Sequence, residues 1–336
     1  MSHNVVTFKK RDSVPASPND PVIYSELFYS IEGEGLMAGQ PTVFLRLFGC
    51  NLSCPSFGLR DGAVAVHDTP IESIEDVDKK GIASRGGCDS AYSWHPTYKN
   101  LRKTKSVRDI SRDIWDLLPA AIRSPDPSLA APIWVLSFTG GEPMLHQPVI
   151  AAIILELMDY IDEGGGELFI PAPVLLFETN GTIELGKALS DTLKGYTNLF
   201  GDEMVLFCVS PKLSNSGEKP EDTLKPKAFA SLFLASAVIT LKYVSDGSLQ
   251  SIEEVKAATR MLLGTDSILV DSIWDDEDNV DVTERINRTS IFLMPEGSTS
   301  EELARTSKKV AEACLANGFS YSPRLHVDLF GNAVGT

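Results

Sequence analysis

Two periods alternate along this chain. Short runs rich in β-branched and aromatic residues predict strands at Val43–Leu47, Ile133–Phe138, Val174–Glu178, Met204–Val209, Ala237–Tyr243, Ser290–Met294 and Arg324–Leu329. Between several of them apolar positions recur at helical spacing, predicting helices over Val107–Leu118, Val149–Ile161, Ile183–Leu193, Ile252–Leu263 and Ser300–Ala316. Repeated strand-then-helix units place parallel strands in one sheet with helices outside, an α/β class that is either open or curled into a barrel. Three stretches interrupt the rhythm. Residues 55–87 are rich in Gly, Asp and Ser and hold no convincing element. Residues 95–105 are basic and polar. Asp266 to Glu284 is acidic, with Asp275, Asp276, Glu277 and Asp278 in one run. The acidic run reads as solvated surface rather than a metal site. The expected organisation is a loose polar arm over residues 1–20, then one domain over 21–336 with loop insertions at about 55–87 and 264–288.

Composition narrows the class. With 336 residues and 43% hydrophobic content the chain can bury a sizeable core. A net charge of −16 argues against a nucleic-acid backbone as a direct ligand. The longest apolar run, around Val149 to Leu157, falls short of a membrane span. The first residues carry no apolar core of signal-peptide length. Five cysteines, an odd and sparse set, make a poor disulfide framework. A soluble, cytoplasmic protein in a reducing compartment is the expectation.

The cysteines are where chemistry first shows. Val43, Leu45 and Leu47 alternate with Phe44, Arg46 and Phe48; Gly49 ends the run, and Cys50 and Cys54 follow. In parallel α/β proteins, functional loops collect beyond the C-terminal ends of strands. Two thiols there can reach one metal centre, or they can be small buried hydrophobes. Gly140-Gly141-Glu142-Pro143 follows another strand, and its glycines let backbone approach a ligand. Glu178 and Asn180 end the next strand, and Ser210 and Lys212 the one after. Polar residues at successive strand ends ring one mouth, although each alone reads equally as a loop cap. Arg46 lies in a strand covered on both faces, so it must pair or face a polar lumen. Glu34 is a neighbour able to pair with it. Cys208 and Cys314 read as core residues. Tyr92, Trp94, His95 and Tyr98 either shield a metal centre or pack an inserted loop.

Tyr29-Ser-Ile-Glu-Gly-Glu-Gly35, Phe44-Leu-Arg46 and Gly49-Cys-Asn-Leu-Ser-Cys54 closely resemble the opening of the 7-carboxy-7-deazaguanine synthases, a family of the radical S-adenosylmethionine superfamily. Thr139-Gly-Gly-Glu-Pro143, Glu178-Thr-Asn-Gly-Thr182 and Ser210-Pro-Lys212 follow in the family's order. The resemblance spans about residues 24–245, with a weaker echo at Arg324-Leu-His-Val327. It departs at one place: the family's third cysteine falls here on Phe57, which cannot ligate iron. Gly87-Cys-Asp-Ser90 supplies a later Cys-Asp-Ser triplet, so the third ligand is read as displaced to Cys88 by the insertion. Long loops cost only logarithmically in closure entropy. The competing view is a clusterless relative.

The resemblance implies a partial, open (β/α)6-type barrel holding a [4Fe–4S] cluster on Cys50, Cys54 and Cys88. Three thiolates would leave one iron open for the amino and carboxylate groups of S-adenosylmethionine. By the same resemblance Gly140, Gly141, Glu142, Glu178, Asn180, Ser210 and Lys212 bind that cofactor. Glu34, Arg46 and His326 bind a pterin, and the Ser90 hydroxyl helps hold Mg²⁺. The implied reaction converts 6-carboxy-5,6,7,8-tetrahydropterin to 7-carboxy-7-deazaguanine with loss of ammonia, a carbon–nitrogen lyase step in deazapurine biosynthesis for queuosine-type or DNA nucleosides. It proceeds by hydrogen abstraction, ring contraction and hydrogen return, and no side-chain acid or base is assigned. The partners implied are the small-molecule pterin and an external, flavodoxin-like one-electron reductant, with no direct nucleic acid and no membrane. A homodimer stays open as the assembly. A different radical enzyme, such as a glycyl-radical activase, is the other enzymatic reading.

Overall fold

The structure, a computed structural model, describes residues 14–59, 63–126, 128–163, 171–235, 238–264, 282–331 and 333–336. The acidic run Asp275–Asp278, most of the 264–288 segment and residues 1–13 of the arm lie outside the described residues.

Among the described residues nine strands form one sheet: β1 (Pro21–Ile31), β2 (Pro41–Leu47), β3 (Lys103–Ser106), β4 (Val135–Gly140), β5 (Val174–Thr179), β6 (Val205–Val209), β7 (Val238–Ser245), β8 (Thr289–Pro295) and β9 (Ser320–Tyr321). Their order is β3-β1-β2-β4-β5-β6-β7-β8-β9. From β2 to β9 every pairing is parallel, while β1 pairs antiparallel with β2 and with β3. β3 and β9 are edges, so the sheet is an open α/β array and not a closed barrel. The five long helices are α1 (Val107–Leu117), α2 (Gln147–Glu163), α3 (Lys187–Phe200), α4 (Leu249–Leu263) and α5 (Ser300–Asn317). Side chains set their ends: Ser106 Oγ accepts from Asp109 N–H, Ser248 Oγ from Ser251 N–H and Thr299 Oγ1 from Glu302 N–H.

Period-two alternation divides the sheet into two environments. On the helix side Phe138, Phe177 and Phe207 stack across β4, β5 and β6, with centroids 5.2 and 4.8 Å apart, inside the main apolar core. On the other side Val135, Leu176, Leu206 and Cys208 form a small separate cluster. That face turns polar toward the strand ends, where Arg46, Thr139, Glu178 and Lys242 line a cavity. The alternation thus carries charged residues on strands whose other face is mostly apolar.

Arg324–Leu329, expected as a strand, is a helix instead: α6 spans Leu325–Phe330. Its alternating Leu-His-Val-Asp-Leu mimics a strand, but only Val327 is buried, while Leu329 and Phe330 are exposed. Gly331, at φ +69°, ends it with a bond from its N–H to Val327 O. β1, β3 and β9 carry no strand expectation from the sequence. The region 55–87 holds a short helix at Glu75–Lys79 and a 3₁₀ turn at Ile82–Ser84. Ile71, Val77 and Ile82 join Ala91, Tyr92, Tyr98 and Leu101 in an apolar cluster of their own, apart from the main core. No helix among the described residues is long and apolar enough to cross a membrane.

Candidate active site

At the C-terminal ends of the parallel strands lies a cavity of about 460 Å³. Its lining includes Glu34, Arg46, Cys50, Cys54, Cys88, Ser90, Gly140, Gly141, Glu178, Asn180, Ser210, Lys212 and His326, all singled out by the sequence. Glu142, also singled out, is not among the lining residues.

The first wall is made of thiols. All three cysteines are free and electrostatically coupled to one another. Cys50 leaves β2 through Gly49, whose N–H donates to Ser93 O (2.9 Å). Cys54 takes the left-handed backbone, φ +43°, that non-glycine residues rarely adopt. A carboxylate holds it there: Glu218 Oε1 accepts from Ser53 N–H (2.7 Å), Ser53 Oγ–H (2.9 Å) and Cys54 N–H (2.6 Å). Cys88 arrives from the inserted segment, and its Sγ accepts from Trp94 Nε1–H at 3.3 Å. Burial pushes Cys54 up to about 12, with Lys212 pulling the other way. Burial and Glu142 push Cys50 higher, and burial and Asp89 raise Cys88. Alone, these thiols stay protonated at neutral pH.

Glycine at 140 and 141 is a steric requirement. A Cβ on Gly140 would sit 2.1 Å from Leu47 O, and one on Gly141 2.2 Å from Gly49 O. The two strand ends therefore pack backbone on backbone, leaving peptide groups facing the cavity. Glu142, completely buried, braces the next strand: its carboxylate accepts from Thr179 Oγ1–H (2.7 Å), Asn180 N–H (2.7 Å) and Met144 N–H (3.0 Å). Asn180 Nδ2–H donates to Asn51 Oδ1 (2.9 Å), tying the β5 end to the cysteine loop. Lys212 Nζ donates to Ser210 Oγ (3.2 Å) and stands 5.7 Å from the centre of the Phe57 ring.

The second wall is ionic. Glu34 and Arg46, which the sequence left open as partners, do not pair with each other. Glu34 instead meets Lys242 Nζ through one oxygen and Arg324 Nε (3.1 Å) through the other, with His326 Nε2 at 3.8 Å. Arg46 pairs with Glu26 across the β1–β2 ladder (Nε to Oε2, 2.8 Å) and reaches Ser90 Oγ at 3.4 Å through its Nη1. Tyr92 lies under that guanidinium and donates its hydroxyl to Glu26 (3.0 Å). Lys242 also reaches Glu178 (3.3 Å), and Arg324 reaches Asp89 (2.8 Å). Burial alone would raise Glu34, but Lys242 and Arg324 hold it well below the usual carboxylate range. Burial would lower Lys242, and Cys208, Glu34 and Glu178 outweigh it. Burial lowers His326 despite Glu34, leaving a neutral imidazole whose ring lies against Gly33.

One group stays apart from this pairing. Glu32 is buried; its Oε1 accepts from Gly33 and Glu34 N–H (3.0 and 3.2 Å), while its buried Oε2 has no hydrogen-bond partner. Burial, then Glu178, raises its pKa well above the usual carboxylate value, with Lys242 pulling the other way. Cys208 is buried in the small apolar cluster, as expected of a core residue, and also borders the cavity beside Lys242. Cys314 is a core residue of α5, its thiol donating to Ser320 O (3.4 Å).

Sequence reasoning missed Glu26, Glu32, Asp89, Glu218, Lys242 and Arg324. A usable signal existed for Lys242, a lone cation inside the apolar run Ala237–Tyr243, by the logic applied to Arg46. Glu218 lies in an irregular loop and offered none.

The donor set suits an iron–sulfur cluster. Among the described residues no three His, Cys, Asp or Glu side chains converge tightly enough to hold a single ion. A cluster makes another demand, since each thiolate reaches its own iron. Three thiols around one cavity, protonated until a metal displaces the proton, meet that demand.

No family model matches the chain. A 7-carboxy-7-deazaguanine synthase from Halobacterium salinarum is 27% identical over 93% of this chain and 91% of its own length. One from Pyrobaculum aerophilum is 24% identical over 92% of this chain and 95% of its own. The crystal structure of QueE from Escherichia coli superposes with a TM-score of 0.43 at 17% identity, covering 90% of this chain and 93% of that one. Along nearly its whole length the chain is thus similar, at low identity, to proteins named 7-carboxy-7-deazaguanine synthase.

Proposed function

We propose that this chain is an enzyme, a carbon–nitrogen lyase that converts 6-carboxy-5,6,7,8-tetrahydropterin to 7-carboxy-7-deazaguanine with release of ammonia. One observation carries the reading: a single cavity joins a wall of three thiols to a wall of fixed charges. Cys50, Cys54 and Cys88 would hold a [4Fe–4S] cluster. When bound, the cluster and S-adenosylmethionine supply a 5′-deoxyadenosyl radical on receipt of one electron from an external, flavodoxin-like donor.

This chain's own residues bind and orient. The backbone of Gly140 and Gly141 offers a close approach for the cofactor, flanked by Glu178, Asn180, Ser210 and Lys212. Glu142 acts behind them by fixing the β5 end. Arg46, held at Nε by Glu26 and touching Ser90 through Nη1, turns its remaining guanidinium N–H groups to a substrate carboxylate. Ionised Glu34 accepts from ring N–H groups, and the unpartnered Oε2 of Glu32 lies beside it as a further polar contact. Neutral His326 closes that end against Gly33. The Ser90 hydroxyl, near Asp89, would contribute to a Mg²⁺ shell completed by water and substrate. Pairing these charges before substrate arrives keeps the site preorganised.

Anaerobic incubation of the reconstituted chain with the carboxypterin, S-adenosylmethionine and a reductant tests the reading. The expected product has the mass of 7-carboxy-7-deazaguanine and appears with ammonia. Cleavage of S-adenosylmethionine with the pterin unchanged would overturn the substrate assignment.

A further inference from the structure

The three sulfurs are not equivalent. Cys50 Sγ accepts a backbone N–H, from Leu52 at 3.4 Å. Cys88 Sγ accepts a side-chain N–H, from the Trp94 indole at 3.3 Å. That indole is fixed by its surroundings. Trp94 N–H and His95 N–H both donate to Ala91 O (3.1 and 2.8 Å), so the 3₁₀ turn at Ala91–Ser93 sets the backbone beneath it. The ring meets His67 and His95 edge-on, with centroids 6.2 and 5.3 Å away. Trp94 and Cys88 both pack against the separate apolar cluster to which Ile71, Val77 and Ile82 contribute. The inserted segment thus buttresses the ring that addresses the sulfur it delivers.

We propose that Trp94 is a positioning residue that raises the reduction potential of a cluster bound at Cys88, with the inserted segment as its buttress. The inference rests on the cluster reading above. A donor aimed at a ligating sulfur stabilises its negative charge, and does so most in the reduced cluster, which carries one more electron. Low surrounding polarity strengthens the effect, and the partly buried indole is shielded by its neighbours. The Cys50 donor is a peptide and survives any side-chain change, whereas the Cys88 donor is removable by substitution.

The test is Trp94→Phe, which deletes the N–H and keeps an aromatic ring in the cluster. Wild-type and variant chains are reconstituted anaerobically, assayed for iron and sulfide, and titrated while the reduced-cluster signal is followed by electron paramagnetic resonance. The expected result is equal iron per chain, a more negative midpoint in the variant, and a higher Fe–S(Cys) stretching frequency by resonance Raman. An unchanged midpoint at full iron content overturns the proposal and leaves the cluster reading intact. A wild-type chain that takes up no iron overturns both. If phenylalanine disturbs the loop enough to lose iron, benzothienylalanine at position 94, which replaces N–H with sulfur at nearly constant shape, gives the same comparison of midpoints.

Discussion

On the side of the cavity built by β7 and α6, buried charges meet opposite ones: Glu34 lies between Lys242 and Arg324, and Arg324 also holds Asp89. On the side built by the loop after β2, three thiols face the same space with their pKa values raised by burial. The ionic wall is complete as the chain folds, because its cations are nearly buried and opening a pair strands a charge with little access to water. The thiol wall is incomplete, because burial keeps its sulfurs protonated, and the metal centre proposed above would displace those protons. On the proposed function, one wall therefore belongs to stability as well as to binding, and the other to binding alone. Single substitutions separate them.

The largest effect is expected on the thiol wall and only when metal is present. Cys88→Ala should fall from about four irons per chain to essentially none after reconstitution, since two thiolates do not hold a site-open cubane. Product formation should vanish with it. Urea unfolding of the metal-free variant should lie within about 1–1.5 kcal/mol of the metal-free wild type, the worth of the lost Trp94 hydrogen bond. Full iron retention by the variant would remove Cys88 from the wall.

Lys242→Met should do the reverse, destabilising the chain even without metal. Glu34 and Glu178 lose a cation at a residue only 5% exposed at its side chain, a change that costs about 3–5 kcal/mol. The acid limb of stability should move as well. Glu34 is depressed in the fold, so its contribution is present above the unfolded carboxylate pKa and fades as pH falls through the folded value. Without Lys242 that fading begins at higher pH. An unchanged urea midpoint at pH 7 would show that the ionic wall does not hold the fold.

The walls also differ in how far the sequence disclosed them. Cys50, Cys54 and the glycines at 140 and 141 stand in short local motifs at predicted strand ends, and parallel topology gathers strand ends at one mouth. The seven strand runs located six true strands because buried parallel strands read as plain apolar runs. The ionic wall was opaque because its partners are non-local. Glu34 is nearer in sequence to Arg46, yet it pairs with residues 242 and 324. Arg46 takes Glu26, from a strand whose apolar and polar residues, Pro21-Val-Ile-Tyr-Ser-Glu-Leu-Phe, do not alternate cleanly. Which buried anion meets which buried cation is settled by register and by the placement of α6. Local pattern misread α6 itself, overlooking the helix-ending glycine at 331.

Arg46→Lys sharpens the comparison within the ionic wall. Lysine keeps the charge but cannot bond Glu26 through Nε while presenting a two-pronged edge to a carboxylate. If Arg46 binds substrate, KM for the carboxypterin should rise about 10- to 100-fold, about 1.4–2.8 kcal/mol, with a smaller change in kcat. Equal KM values would confine Arg46 to a structural role with Glu26 and Tyr92.

The smallest expected effect concerns Glu32, the group that fits neither wall. Its raised pKa means that the folded state binds a proton which the unfolded state releases as pH rises past about 4.3. Stability from this group is therefore fully present below that pH and is lost progressively until pH passes the folded value. Glu32→Gln keeps the shape and the acceptor for Gly33 and Glu34 N–H but removes the titration. The two chains should unfold alike near pH 4, and the glutamine variant should become the more stable as pH is raised toward 8. Parallel unfolding curves across that range would mean that Glu32 is ionised in the fold. The cavity would then hold a third carboxylate beside Glu34 and Glu178, sharing Lys242 with both, and the ionic wall would no longer be complete without a ligand.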